Sequence, residues 1–350
     1  MPSYDIFGRT EYDGNKDQCL RINDAWPVLV NDNKTWVPTG KQTDFRFSAC
    51  SGANLPNMAE TAYMGYVQMD RAGAADIVTM QAGGGDVGFW NVVNNCVFHE
   101  QNKNYGPDWP DPNGECVRSM VDARMRINMG LRGSILDAVW DVLNTPDVRY
   151  NQNFHLYILG YSLLFADDDD ATWCNTESFV VPWRQDSRQK LTLELRKELN
   201  SLVEAVNSQL QTLAEGFNDT RIGYIDISHV FDGGRFCECQ HSLRDQYQGS
   251  RVFLWNAIPE GVILDNGVYT VRAPTAQEFD QWYQSGMFTY DWNEVVAPEQ
   301  RVHAGPFQNG QSGLSLRPVH PKQAGHEAIA QAVTARFKKD INPGDDCCDG

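Results

Sequence analysis

Three short apolar runs, each closed by glycine or serine, constrain this chain more than any other feature. Residues 75–81 (ADIVTMQ) lead into Gly83-Gly84-Gly85, residues 154–159 (FHLYIL) end at Gly160, and residues 222–227 (IGYIDI) end at Ser228-His229. Short, nearly continuous apolar runs read as strands buried on both faces, the pattern of a parallel sheet. Residues 45–49 (FRFSA) read as a further short strand. Helical patterns lie between these runs. The clearest is 191–217, where Leu191, Leu195, Leu199, Leu202, Val203, Val206 and Leu210 recur at three-to-four spacing. Others cover 59–72, 116–143 (with Met120, Met125, Ile127, Met129, Leu131, Ile135, Leu136, Val139 and Leu143) and 324–341 (with Ile329, Val333 and Phe337). Strands alternating with helices predict an α/β fold, a three-layer α/β/α doubly wound parallel sheet. With no internal repeat and no long linker, the expected organisation is one domain over residues 1–341 and a polar tail at 342–350.

Charge narrows the function classes. Lys+Arg number 29 against 46 Asp+Glu, a formal net charge of −17. A field of that sign repels phosphate backbones, so no nucleic-acid partner is expected. No apolar run approaches the roughly 18 residues of a membrane span. The nearest, 154–165, contains His155 and Ser162. The 41% apolar and 21% charged composition excludes collagen-like, coiled-coil and broadly disordered chains.

The nine cysteines are mostly spread singly, which favours disulfides and an oxidising compartment. Cys237-x-Cys239 with His241 two residues on could ligate zinc, but no second ligand pair follows at finger spacing. Asn33-Lys-Thr35 and Asn218-Asp-Thr220 are acceptor sequons for N-glycosylation. The N-terminal MPSYDIFGRTEYDG has neither the basic nor the apolar segment of a secretion signal. Either the protein is cytosolic with unpaired thiols, or the chain as given lacks its true start; the motifs below favour the second.

Gly83-Gly-Gly85-Asp-Val-Gly88 formally fits a dinucleotide-binding turn after a strand. The next stretch holds Asn94, Asn95, Cys96 and a proline-rich loop rather than a second strand ending in an acid, so a tight turn is the better reading. The acids Asp167 to Asp170 lack the alternating ligands and glycine of an EF-hand. No G-x-S-x-G elbow is present. His320 stands between Pro318 and Pro321, just ahead of the last helical pattern, in a loop that the prolines stiffen.

In order and spacing, Ala49-Cys-Ser-Gly-Ala53, Gly84-Gly-Asp-Val-Gly-Phe89, Gly160-Tyr161, Arg235-Phe-Cys-Glu238 and His320-Pro-Lys322 with Gly325-His326 resemble the SGNH/GDSL hydrolase family, in its secreted fungal and actinobacterial esterase-like branch. The resemblance runs from Ser3 to about Ile341 and implies the flavodoxin-like SGNH sheet. It implies acyl transfer: Ser3, followed by Tyr4, is the nucleophile and His320 takes its proton. The oxyanion would be held by the backbone N–H of Ser3, the N–H of Gly52 and an asparagine side chain at the place of Gly85. It also implies the disulfides Cys19–Cys50, Cys96–Cys116 and Cys174–Cys237, leaving Cys239, Cys347 and Cys348 unassigned. The expected protein is a secreted monomer acting on a small-molecule or polymer-linked ester (lipid, carbohydrate or small acyl ester), with no metal and no organic cofactor.

Four positions depart from the family pattern. Met1-Pro2 replaces the Gly-Asp that should precede the serine, so the first strand is expected to be missing. Gly85 replaces the oxyanion asparagine, a loss of about 10²–10³ in rate for one donor. Reversion by Gly85→Asn is therefore expected to raise the rate about tenfold or more. Arg317 replaces the acid three residues before the histidine and cannot accept from its Nδ1, a role that related branches give to a backbone carbonyl. Gly234 stands where the family often has His. The alternative function is a catalytically impaired or non-catalytic SGNH-fold binding protein.

Overall fold

The computed structural model describes residues 12, 19, 21–63, 65, 67–72, 75–98, 109–179, 189–247, 250–256, 262–265, 268–271, 277 and 319–342. Strands β1 (Ile77–Met80), β2 (His155–Leu159) and β3 (Ile222–Ile225) form a parallel sheet in that order. Ile77 pairs with His155 and Leu156 with Ile222. The central strand β2 has its last four residues buried, as its unbroken apolar run requires. Two further strands, β4 (Val262–Asp265) and β5 (Val268–Val271), pair antiparallel with each other. The fold is α/β with a parallel sheet.

Among the described residues the α-helices, in chain order, are α1 (Trp26–Asp32), α2 (Pro56–Ala59), α3 (Gln68–Ala72), α4 (Phe89–Val93), α5 (Glu115–Arg126), α6 (Arg132–Asn144), α7 (Pro146–Arg149), α8 (Leu193–Gly216) and α9 (Gln323–Ile341). Helices α8 and α9 cover opposite faces of the sheet. Successive side chains of a strand point to opposite faces. The backbone of Gly223 meets Arg336 of α9, whereas the hydroxyl of Tyr224 lies with Asn207 of α8 against Gly160.

Helix α8 begins at Thr192, whose hydroxyl accepts from the Leu195 N–H at 3.3 Å. Its leucines fill the core, but three buried polar residues share its inner face: Arg196, Asn200 and Asn207. Each bonds the chain that leaves β2. Asn207 accepts from Tyr161 N–H and donates to Tyr161 O, both at 2.7 Å. Asn200 accepts from the N–H groups of Leu164 and Phe165 and donates to Phe165 O at 2.8 Å. Arg196 donates twice to Ala171 O at 3.1 Å.

Three predicted elements come out differently. Residues 45–49 form no strand. Among the described residues no strand lies on the free edge of β1, where Ile77, Val78 and Thr79 are only half-buried, and a strand without a ladder partner does not form. The helix predicted over 59–72 is instead the two short helices α2 and α3; Gly65, at φ +89°, breaks it. The helix predicted over 116–143 is α5 and α6 joined by a π-helical segment, Ile127–Leu131. That wider turn rotates the face presented to the core. Met125 and Met129, part of the predicted apolar stripe, stand 51% and 82% exposed, while Ile127 and Leu131 are buried.

Three disulfides join Cys19 to Cys50, Cys96 to Cys116 and Cys174 to Cys237, the pairing implied by the resemblance. Cys237 is thereby withdrawn from any zinc site. Cys239 carries an exposed free thiol, and Cys347 and Cys348 lie outside the described residues. Among the described residues no helix is long and apolar enough to cross a membrane. The Cys19–Cys50 bond spans 31 residues, so replacing both cysteines by serine is expected to cost about 3–4 kcal/mol, read as a lower midpoint in urea under non-reducing conditions.

Candidate functional site

A parallel sheet sends every strand exit to one edge, where sites on such folds are built. Here that edge carries the turn at residues 83–88 after β1, Gly160-Tyr161 after β2 and Asp226 to Ser228 after β3. Helix α9 runs antiparallel to the strands. Near its C-terminus Asp340 accepts from the Tyr157 hydroxyl at 3.0 Å, and one turn earlier Arg336 donates to Tyr224 O, one step further along the sheet. Its N-terminal end, and with it His320, therefore lies at the strand-exit edge.

The glycine turn is built by crowding. A Cβ on Gly83, at φ +111°, would come within 2.9 Å of Leu131. The Gly84 N–H donates to the Tyr161 hydroxyl at 3.1 Å, coupling the exits of β1 and β2. Burial pushes the Tyr161 phenol up to about 12, against the pull of that N–H, so it stays a neutral acceptor. The same bond occupies an N–H that a phosphate would need. Helix α4 spans only five residues before passing into the π-helical Asn94–Phe98. The dinucleotide reading therefore has no support in the turn.

Gly52 lies in a second tight turn. The disulfide Cys19–Cys50 and the Ser51 N–H donating to Cys19 O anchor its approach. Gly52 sits at φ +83°, a conformation that favours glycine, and a Cβ there would come within 2.9 Å of the Tyr63 hydroxyl. The two turns are tied by Asp86, whose carboxylate accepts from the Leu55 N–H at 3.1 and 3.2 Å. Burial pushes the Asp86 carboxyl up from its ordinary value, and the Leu55 N–H opposes that shift. Gly85 is exposed and faces Asn54: a Cβ built on it would lie 2.5 Å from Asn54 Oδ1.

His320 is exposed, but its backbone is laced to a neighbouring segment. Trp255 N–H donates to His320 O at 2.9 Å, Val319 N–H to Trp255 O at 2.8 Å, and Lys322 N–H to Phe253 O at 2.6 Å. Val319 is held at φ +63°, an unfavourable conformation for a β-branched residue. Gly325 lets this ladder approach, since a Cβ there would come within 2.8 Å of Phe253 O. The Trp26 N–H donates to His326 Nδ1 at 3.3 Å, joining α1 to α9.

The Arg235-Phe-Cys-Glu238 motif is a brace. Glu238 accepts from Arg235 Nε and the Gly233 N–H, both at 2.9 Å, and from Gln240 at 2.8 Å. The Trp173 indole donates to Glu238 O, and Arg235 also faces Asp167 at 3.6 Å. Burial raises the Glu238 carboxyl, but these donors outweigh it and hold the group below its ordinary value. Among the described residues no group of His, Cys, Asp and Glu could hold a metal ion.

Of the predicted site residues, Gly52 and Gly85 are brought to adjoining turns, and His320 lies at the same edge of the sheet. Ser3 and Arg317 lie outside the described residues. Asp86, Tyr161 and Asn207 escape sequence reasoning as positioning residues. Asp86 and Tyr161 stand inside the motifs that carry the resemblance, and Asn207 shares one helix face with Arg196 and Asn200, a polar row within an apolar pattern.

No family model and no curated protein matches this chain. Solved structures similar to it include two from Streptomyces. One is the extracellular lipase of Streptomyces rimosus, 18% identical, covering 81% of this chain and 94% of that one with a TM-score of 0.47. The other is phospholipase A1 from Streptomyces albidoflavus NA297, 20% identical, covering 80% and 92% with a TM-score of 0.46.

Asp86→Ala leaves the Leu55 N–H without its acceptor, so a loss of about 2 kcal/mol is expected in denaturant unfolding. Glu238 contributes stability above its ordinary pKa that is lost as pH falls through its depressed native value. Glu238→Gln is therefore expected to unfold more easily at neutral pH. Its stability should also fall less steeply than that of the parent chain between about pH 5 and pH 2, measured by urea titration.

Proposed function

We propose that this chain hydrolyses a carboxylic ester through an acyl-enzyme on Ser3. His320 takes the proton from Ser3 Oγ as the oxygen attacks the carbonyl carbon, and returns it to the leaving alkoxide. Water then attacks the acyl-enzyme, His320 again taking its proton, and the carboxylic acid leaves as Ser3 recovers its hydrogen. The N–H groups of Gly52 and Ser3 hold the oxyanion. The observation that carries this reading is the coupling of the Gly52 and Gly85 turns by Asp86 at the edge where His320 lies. The motif resemblance to SGNH/GDSL hydrolases and the three disulfide pairs accord with it.

The substrate class is an acyl ester of a lipid, carbohydrate or small molecule. The disulfides suit a secreted protein, with Asn33 and Asn218, both exposed, as glycan acceptors. We read residues 1–341 as one domain acting as a monomer, with 342–350 as a polar tail.

A second reading, an SGNH-fold binding protein without turnover, draws on the absence of a side chain at Gly85. Hydrolysis of p-nitrophenyl acetate separates the two. Under the esterase reading Ser3→Ala and His320→Ala each lower kcat by about 10³-fold or more, and a fluorophosphonate labels Ser3. A chain that neither turns over nor labels is the binding protein.

A further inference from the structure

We propose that Asn54 supplies the oxyanion carboxamide that position 85 lacks; this rests on the esterase reading above and adds a donor to the same site. The space a side chain at 85 would fill is already taken. A Cβ built on Gly85 would lie 2.5 Å from Asn54 Oδ1 and 3.7 Å from its Cγ, so the Asn54 carboxamide seats on the bare backbone of Gly85.

The loop around Asn54 is fixed on both sides. Its N–H donates to Asn57 Oδ1 at 2.8 Å, its carbonyl accepts from the Asn57 N–H at 2.9 Å, and the next residue, Leu55, is bound to Asp86. Its side chain, by contrast, is exposed and makes no hydrogen bond with the described residues. With the oxygen on Gly85, both N–H bonds of Nδ2 are left for a ligand. Asn54 is two residues from Gly52, so both donors would come from one turn.

On this view Gly85 is the room that Asn54 needs. Any Cβ at position 85 displaces the carboxamide, so Gly85→Asn alone sets two amides in one place. The gain expected from the sequence for that reversion is withdrawn, and Gly85→Asn should be no faster than the parent chain. Removing Asn54 at the same time clears the space.

The experiment measures kcat, KM and Tm with p-nitrophenyl acetate for the full chain, Asn54→Ala, Gly85→Asn and the double variant, beside Ser3→Ala. Asn54→Ala is expected to lower kcat by about 10²–10³-fold with KM and Tm little changed. The double variant should regain about tenfold or more over Asn54→Ala, the reciprocal coupling of two residues that share one place. Ser3→Ala inactive with Asn54→Ala within about threefold of the parent chain would overturn the role of Asn54 and leave the esterase reading standing. A lowered Tm in Asn54→Ala, with no recovery of kcat in the double variant, would assign Asn54 to loop packing and also overturn it. A parent chain with neither turnover nor fluorophosphonate labelling would overturn both readings.

Discussion

The carboxylate of Asp86 on the Leu55 N–H is the contact on which the candidate site depends. Leu55 precedes Pro56 at the start of the short helix α2, where backbone N–H groups have no partner within the helix. Asp86 is a partly buried acid that burial alone would drive toward protonation. Neither group is well served by itself. Brought together, the N–H gains an acceptor and the carboxylate gains a donor. The contact spans 31 residues of sequence and forms only when the Gly52 turn lies beside the Gly85 turn. Two local deficits of opposite sign thus select one arrangement of the loops.

The exit of β2 is set by the same logic. Strand β2 ends at Leu159, and the chain beyond it runs under α8 without sheet pairing of its own apart from the isolated bridge of Phe165 to Phe236. Residues 162–166 are buried, and their peptide groups must find partners. Arg196, Asn200 and Asn207 provide them from one helix face, so α8 acts both as core and as a template for residues 161–171. Tyr161, clamped at its backbone by Asn207, then offers its hydroxyl to Gly84. The position of the glycine turn is therefore transmitted from α8 through the β2 exit, and a polar residue in the middle of an apolar helix stripe bears on the site although it lies in another layer.

The central elements were legible in the sequence because their burial is two-sided. The runs at 75–81, 154–159 and 222–227 contain β1, β2 and β3, and the patterns at 191–217 and 324–341 match α8 and α9 within a few residues. Elements that depend on a neighbour were not legible. Residues 45–49 have strand composition but no described partner, and no local pattern marks the π-helical turn that sends Met129 outward. For the site, the resemblance pointed to positions and could not show compensation between them. Gly85 taken alone reads as a missing donor, whereas in the fold its bare backbone lies where a Cβ would meet Asn54, and nothing in the spacing of residues 54 and 85 announces that approach.

The candidate histidine shows how precision is obtained without burial. The His320 side chain is exposed, and an exposed imidazole on a free loop would sample many positions. Its main chain is not free. Three backbone hydrogen bonds bind residues 319–322 to residues 253–255, and Val319 is held in a left-handed conformation that a β-branched residue adopts only when its surroundings impose it. The glycine at 325 admits the ladder, and His326, one helical turn into α9, accepts from α1, whose chain leads back to Cys19 and its disulfide with Cys50. A continuous mechanical path therefore joins the segment carrying His320 to the turn carrying Gly52. The path runs through backbone bonds, a disulfide and one side chain, the His326 imidazole, so the separation of the two segments is held without burying His320.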